Sequence, residues 1–166
     1  MAAASSFDVT SSVDLQEVDN AVNQARKEIA QRYDFKGSMA TIEFDKATST
    51  LSLAADSTMK MDALWDVLQT RLVRRNVAVK NLKLGDIEAA SGATVRRVVT
   101  LQQGIPGDAA RDIIKYLKDQ KLKKVQATIQ GDQLRITAPS KDELQDAIRL
   151  LRAHDFGIDL QFGNYR

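Results

Sequence analysis

Two kinds of hydrophobic pattern run along the chain, and they come in the same order twice. Phe7 and Val9 alternate with Ser6, Asp8 and Thr10, the pattern of a strand with one buried face. Leu15, Val18, Val22, Ala25, Ile29 and Tyr33 follow at helical spacing, so one face of that helix packs inward. Asp14 stands where an N-cap belongs, with Glu17 three residues on, a variant of the capping box. Asp34 to Gly37 ends the helix, since glycine adopts the left-handed backbone that stops one. Ile42 and Phe44, then Leu51 and Leu53, form two strands around a hairpin loop at Asp45 to Thr48. A second helix starts near Ser57 or Thr58 and buries Met61, Leu64, Leu68 and Leu72, with Trp65 at the edge of that stripe. A short strand, Leu82 to Leu84, closes the first set.

Gly85 to Gly92 is small, acidic and poor in pattern, and reads as a linker. Thr94 to Leu101 is the next strand, and Gly107-Asp108 precedes a helix carrying Ala110, Ile113, Ile114 and Leu117. Gln126 to Thr137 is the clearest hairpin, with Gly131-Asp132 as a two-residue turn between alternating strands. Ser140 and Glu143 form a capping box for a last helix with Leu144, Ile148 and Leu151 inside, and Leu160 and Phe162 lie in the final strand. The pattern predicts an α+β protein of two tandem βαββαβ sandwiches, residues 1–88 and 89–166. Each has an antiparallel four-stranded sheet with two helices on one face and the other face free. Phe7 to Thr10 fits either sheet, so strand exchange between the halves is open.

At 166 residues the chain suits two domains of about 80 residues each. Its 43% hydrophobic and 28% charged residues are ordinary for a globular protein. No apolar run approaches the ~20 residues that cross a bilayer. Met1 to Ser6 lacks the basic and apolar regions of a signal peptide and reads as a short tail, so a cytoplasmic location is expected. There is no cysteine, and one histidine, His154, so neither a disulfide framework nor a thiolate or histidine metal centre is expected, nor any cofactor. Residues 1–88 hold 11 basic and 13 acidic side chains, a net −2, whereas 89–166 hold 13 and 9, a net +4. The second half is the better partner for a polyanion.

Few residues suggest catalysis. His154 sits late in an amphipathic helix with no serine elbow near it, and its expected role is local. Asp142 and Glu143 lie at a helix start, where the dipole favours them. Neither a Walker loop nor a dinucleotide fingerprint is present. Gly104-Ile105-Pro106-Gly107 either enters its helix or presents N–H groups to a phosphate. Arg71, Arg74 and Arg75 fit a helix C-terminus. Lys115, Lys118, Lys121, Lys123 and Lys124 form a ridge that suits phosphate tracking and equally a solvated helix face.

The hairpin says more. With Val125, Ala127, Ile129, Leu134 and Ile136 toward the helices, Gln126, Thr128, Gln130, Gln133, Arg135 and Thr137 line the open face. Amides, hydroxyls and a guanidinium suit phosphate, ribose or base edges. That face carries no aromatic residue, unlike RNA-recognition motifs that stack bases on their central strands. Stacking would fall to Tyr33, Phe35, Phe156 or Tyr165 in loops.

Several segments are distinctive: Ser6-Phe7-Asp8-Val9, Ser12-Val13-Asp14, Asn20-Ala21-Val22 and Arg32-Tyr33-Asp34-Phe35-Lys36-Gly37. So are Gln103-Gly104-Ile105, Lys121-Leu122-Lys123, Val125-Gln126-Ala127 and Ile129-Gln130-Gly131-Asp132. Asp142-Glu143-Leu144-Gln145 and Leu160-Gln161-Phe162-Gly163-Asn164-Tyr165-Arg166 complete the set. Together, in this order, they resemble the YajQ family over essentially the whole chain. The resemblance implies two ferredoxin-like α+β domains in a cytosolic bacterial protein without catalytic activity. It also implies binding of a nucleotide, cyclic di-GMP among them, or of RNA. The motif positions it points to are Asp34, Phe35 and Lys36, with Gln130, Arg135, Asn164 and Arg166. The chain departs from the family pattern at Lys124, an extra lysine, and at Ala138-Pro139, where relatives tend to have Gly-Lys; Lys124 and Lys141 are the candidates to replace that cation. The alternative function is a protein–protein adaptor that uses an open sheet face or edge.

Overall fold

The computed structural model describes residues 4–122 and 124–166, so the expectations for Lys123 and for residues 1–3 of the opening tail fall outside the described residues, whereas Ser5 and Ser6, expected in that tail, begin the first strand. The elements run β1 (Ser5–Thr10), α1 (Leu15–Gln31), β2 (Thr41–Asp45), β3 (Thr50–Ala55), α2 (Thr58–Arg74), β4 (Leu82–Leu84) and β5 (Glu88–Ala90). They continue with β6 (Thr94–Leu101), α3 (Gly107–Asp119), β7 (Gln126–Gln130), β8 (Gln133–Ala138), α4 (Lys141–Ala153) and β9 (Gln161–Gly163). The fold is mixed α+β with two antiparallel sheets, ordered β7-β8-β1-β9 and β2-β3-β6-β4, and β5 also pairs with β6.

Each sheet takes one of its two inner strands from the other half of the sequence. β1 lies between β8 and β9, and β6 between β3 and β4. The chain therefore forms one unit from residues up to Ser12 plus Gln103–Arg166, and another from Val13–Gln102, in place of a division at residue 88. The physical reason is burial. Phe7 and Val9 of β1, and Val99 of β6, are wholly buried. A cut at 88 leaves each sheet without the strand that carries these side chains.

In the unit Val13–Gln102, α1 and α2 pack side by side on one face of the sheet. Val18, Ala21, Val22 and Ala25 of α1 and Met61, Leu64, Leu68 and Leu72 of α2 meet Ile42, Leu51, Leu53 and Val99. Asp14 caps α1, accepting from the N–H of Gln16 at 2.9 Å and of Glu17 at 3.4 Å. The Glu17 carboxylate turns to Arg75, 3.3 Å away, and leaves the capping box half closed. Arg71 reaches Glu28 at 2.7 Å, so Arg71 and Arg75 tie α2 to α1. The buried stripe of α1 stops before Tyr33, which is 89% exposed in a short 3-10 turn, while Phe35 enters the core in its place. The segment expected as a linker folds back: β5 pairs with β6, and the Gly85 N–H donates to the Val98 carbonyl at 2.8 Å. A Cβ at residue 85 would lie 2.7 Å from that carbonyl oxygen, so only glycine fits.

In the other unit, α3 and α4 cover Phe7, Val9, Leu134 and Ile136 with Ile113, Leu117, Leu144, Ala147, Ile148 and Leu151. The Gly131-Asp132 turn closes the hairpin on the pair Gln130 and Gln133. Ile129, expected inside, is 51% exposed, because it lies next to the end of the edge strand β7, which no further strand flanks. Ser140 caps α4 by accepting from the Glu143 N–H at 3.4 Å.

Candidate functional site

The site is built on the sheet face opposite α3 and α4. Alternation sends Phe7, Val9, Leu134 and Ile136 to the helices and leaves Ser6, Asp8, Arg135 and Thr137 on the far side. The register aligns Thr128, Arg135, Asp8 and Gly163 in one row, and Gln126, Thr137 and Ser6 in the next. Gln126, Thr128, Gln130 and Gln133 are exposed, and Arg135 is half-buried. The hydrophilic floor expected from the hairpin is therefore open along β7 and β8.

Asp8 is its centre. The Arg135 Nε donates to Asp8 Oδ1 at 3.1 Å, and the Asn164 side-chain amide donates to Oδ2 at 2.6 Å. The bond from Asn164 holds the Asp8 carboxyl below its usual range; burial pulls the other way, and the charges of Arg135 and Arg166 add to the lowering. Asp8 thus stays ionised at neutral pH while two cations flank it, which leaves the group net positive.

A β-bulge makes this possible. Asp8 pairs with Gly163, and the backbones of Ser6 and Arg166 exchange hydrogen bonds at 3.1 and 2.9 Å. Two residues, Asn164 and Tyr165, therefore oppose the single Phe7, and Asn164 takes a positive φ of 55°. The extra residue turns Asn164 to the open face and Tyr165 to the opposite side, where its ring lies 6.2 Å from that of Phe7.

Three of the expected site residues, Arg135, Asn164 and Arg166, come together here. Gln130 stands on the same face at the hairpin end. Asp34, Phe35 and Lys36 belong to the other unit. There the Arg32 guanidinium clamps Asp34 with bonds of 2.9 and 2.8 Å and holds its carboxyl below the usual range. Phe35 is 4% exposed beneath Arg32 and Lys60, whose cations lie 5.4 and 5.3 Å from its ring, so no base stacks on it. Lys36 is exposed and lines a cavity of about 490 Å³ with Arg26, Gly37 and Ser38.

Lys115, Lys118, Lys121 and Lys124 are all exposed. The phosphate cradle at residue 104 does not form: the Gly104 N–H donates to Ser11 O at 2.6 Å and the Ile105 N–H to Asp132 O at 2.9 Å. His154 ends α4 and stacks on Tyr116 with centroids 4.3 Å apart, the local role expected of it. Among the described residues, no group of three acidic, histidine or cysteine side chains is placed to hold a metal, and no helix is long and apolar enough to cross a membrane.

Sequence reasoning missed Asp8 as the centre. A signal was present, because aspartate is disfavoured in strands and this one interrupts a buried run. The pairing that brings Arg135 and Asn164 to it joins positions 127 and 156 residues away, which no local pattern reports.

Comparison with known proteins adds to this geometry. Residues 5–166 match the family model described as nucleotide-binding protein YajQ-like. A nucleotide-binding protein of Bacillus mycoides is 51% identical over 166 residues, covering 100% of both chains. One from Trichlorobacter lovleyi is 50% identical over 161 residues, covering 97% of this chain and 98% of its own. One from Koribacter versatilis is 49% identical over 164 residues, covering 99% and 98%. With its floor of amides and hydroxyls, its Asp8-centred cations and this likeness along its length, the chain belongs to the YajQ family.

Proposed function

We propose that this protein is a non-enzymatic nucleotide or nucleic-acid binder, with cyclic di-GMP among its candidate ligands, and that the polar face of the β7-β8-β1-β9 sheet, open along β7 and β8, receives it. One observation carries the reading: Arg135, Asn164 and Arg166 gather about Asp8 on a polar sheet face that α3 and α4 leave uncovered. Charge-assisted bonds from the arginines hold phosphate, while Gln126, Thr128, Gln130 and Gln133 offer donors and acceptors to ribose and base edges. The names of the relatives support the ligand class. The same reading takes each unit as a ferredoxin-like sandwich. The order β7-β8-β1-β9 is that of a βαββαβ unit with its first and third strands inside, and β2-β3-β6-β4 matches it once β6 stands as the first strand. It also places the protein in the cytoplasm, which the lack of cysteine permits.

Isothermal titration of the full chain with cyclic di-GMP and with a short RNA tests the proposal. Saturable heat with either is the expected result, and Arg135→Ala weakens it roughly tenfold or more by removing a charge-assisted contact. No heat from either ligand up to ~100 µM, the weak end of non-specific nucleic-acid binding, defeats it. The adaptor reading has one supporting feature, the exposed Ile129 on the edge strand β7, which suits strand addition by a partner.

A further inference from the structure

We infer that a cavity beside α4, at the sheet edge where Arg166 pairs with Ser6, is the seat of one nucleotide unit, a planar base carrying a phosphate. The inference rests on the nucleotide-binding reading and gives it a pocket distinct from the open face. The cavity measures about 260 Å³ and is lined by Lys141, Leu144, Gln145, Ile148, Tyr165 and Arg166. Leu144 and Ile148 stand one helical turn apart, 5% and 4% exposed, and form an apolar wall. Tyr165 presents a ring that is 58% exposed, yet is braced from behind by Phe7 at 6.2 Å. A half-open aromatic held by the core is a stacking surface that needs little further ordering.

The polar lining has one sign. Lys141 lies in the first turn of α4, where the dipole adds positive potential, and Arg166, whose backbone pairs with Ser6, also lines the cavity. Among the described residues, none that lines the cavity is acidic. Glu143, in the same helical turn, lines a different crevice with Lys121 and Lys124. Apolar wall, aromatic face, amide and two cations match base, base edge and phosphate in that order. The volume falls just below the ~300–1,000 Å³ of sites for drug-sized ligands, so it has room for at most one nucleotide unit. Arg166 joins the two surfaces, since its charge also acts on Asp8.

The bulge ties this pocket to the fold. Gly163 shares the row of Asp8, so unbroken alternation would send Asn164 toward the helices and Tyr165 to the open face; the extra residue reverses both.

The test is calorimetric titration of GMP into the full chain and into Lys141→Glu, Gln145→Trp and Tyr165→Ala, with inorganic phosphate as a second titrant. Lys141 and Gln145 are exposed, so their variants keep the fold, and thermal melting verifies it. The expected result is GMP binding at one site per chain, tighter than phosphate, weakened roughly tenfold by Lys141→Glu through charge reversal and by Gln145→Trp through occlusion. If wild type and all three variants bind GMP alike, the pocket is wrong. If wild type takes cyclic di-GMP or RNA but not GMP, the pocket is wrong and the open-face reading stands. If no nucleotide binds at all, both fall.

Discussion

Asp8 shows how one residue organises a surface. It is 8% exposed, ionised, and held by Arg135 and Asn164, so neutralising it leaves both donors without their acceptor charge. Asp8→Asn is expected to lower stability by about 1–3 kcal/mol, the usual cost of breaking a buried hydrogen-bonded pair from one side. Urea unfolding at pH 7 measures it. The carboxyls of Asp8 and Glu28 both lie below their usual range when folded, the first mainly through Asn164 and the second mainly through Arg71. The unfolded chain therefore takes up these protons first as pH falls. Stability from these groups is full above the ordinary carboxylate range, near pH 4, and is lost as pH drops through the depressed folded values. Melting temperatures recorded from pH 7 down to pH 3 should fall, and the Asp8→Asn variant should fall less steeply. Gly85 works through space alone: Gly85→Ala sets a methyl 2.7 Å from the Val98 carbonyl and should destabilise the β4–β6 edge, seen as faster amide exchange in β4 and β5.

Elements were legible where local chemistry sets them. Asp14, Ser57 and Ser140 each cap the helix they precede. Asp14→Ala is therefore expected to cost about 1 kcal/mol in a denaturant titration, and Asp14→Asn much less. The hairpin was legible because its turn and its alternation agree. The end of α1 was not. Tyr33 keeps the helical spacing, but the chain leaves the helix at Gln31, and Phe35 fills the core instead. Periodicity marks candidates for burial, and packing against Ile42, Met61 and their neighbours selects among them. The segment after Gly85 carries too little pattern to read as a strand, and pairing with β6 alone makes it one.

At the scale of the whole molecule, strand exchange decides what can fold alone. Residues 13–102 form a contiguous unit that contains β6, so this fragment is expected to unfold cooperatively on heating. The fragment 1–88 lacks β6 and keeps β1 without partners, and should show no such transition. Fragment 103–166 should gain structure when a peptide spanning residues 4–12 is added, because β1 is then supplied between β8 and β9. Circular dichroism of the three fragments settles the matter. A cooperative 1–88 fragment would be incompatible with the pairing described here.

Local order along the chain dictates which residues are apolar at which period, where helices begin, that a hairpin closes on Gly131-Asp132, and which face of β8 is polar. These are consequences of neighbours within a few positions, where backbone geometry and capping act. The tertiary structure decided which sheet receives β1 and β6, that Phe35 is core and Tyr33 surface, and that Arg135, Asn164 and Arg166 meet at Asp8. Those outcomes depend on contacts between segments far apart along the chain, up to 156 residues for Asn164 and Asp8, made when burial of Phe7, Val9 and Val99 selects the pairing that covers them.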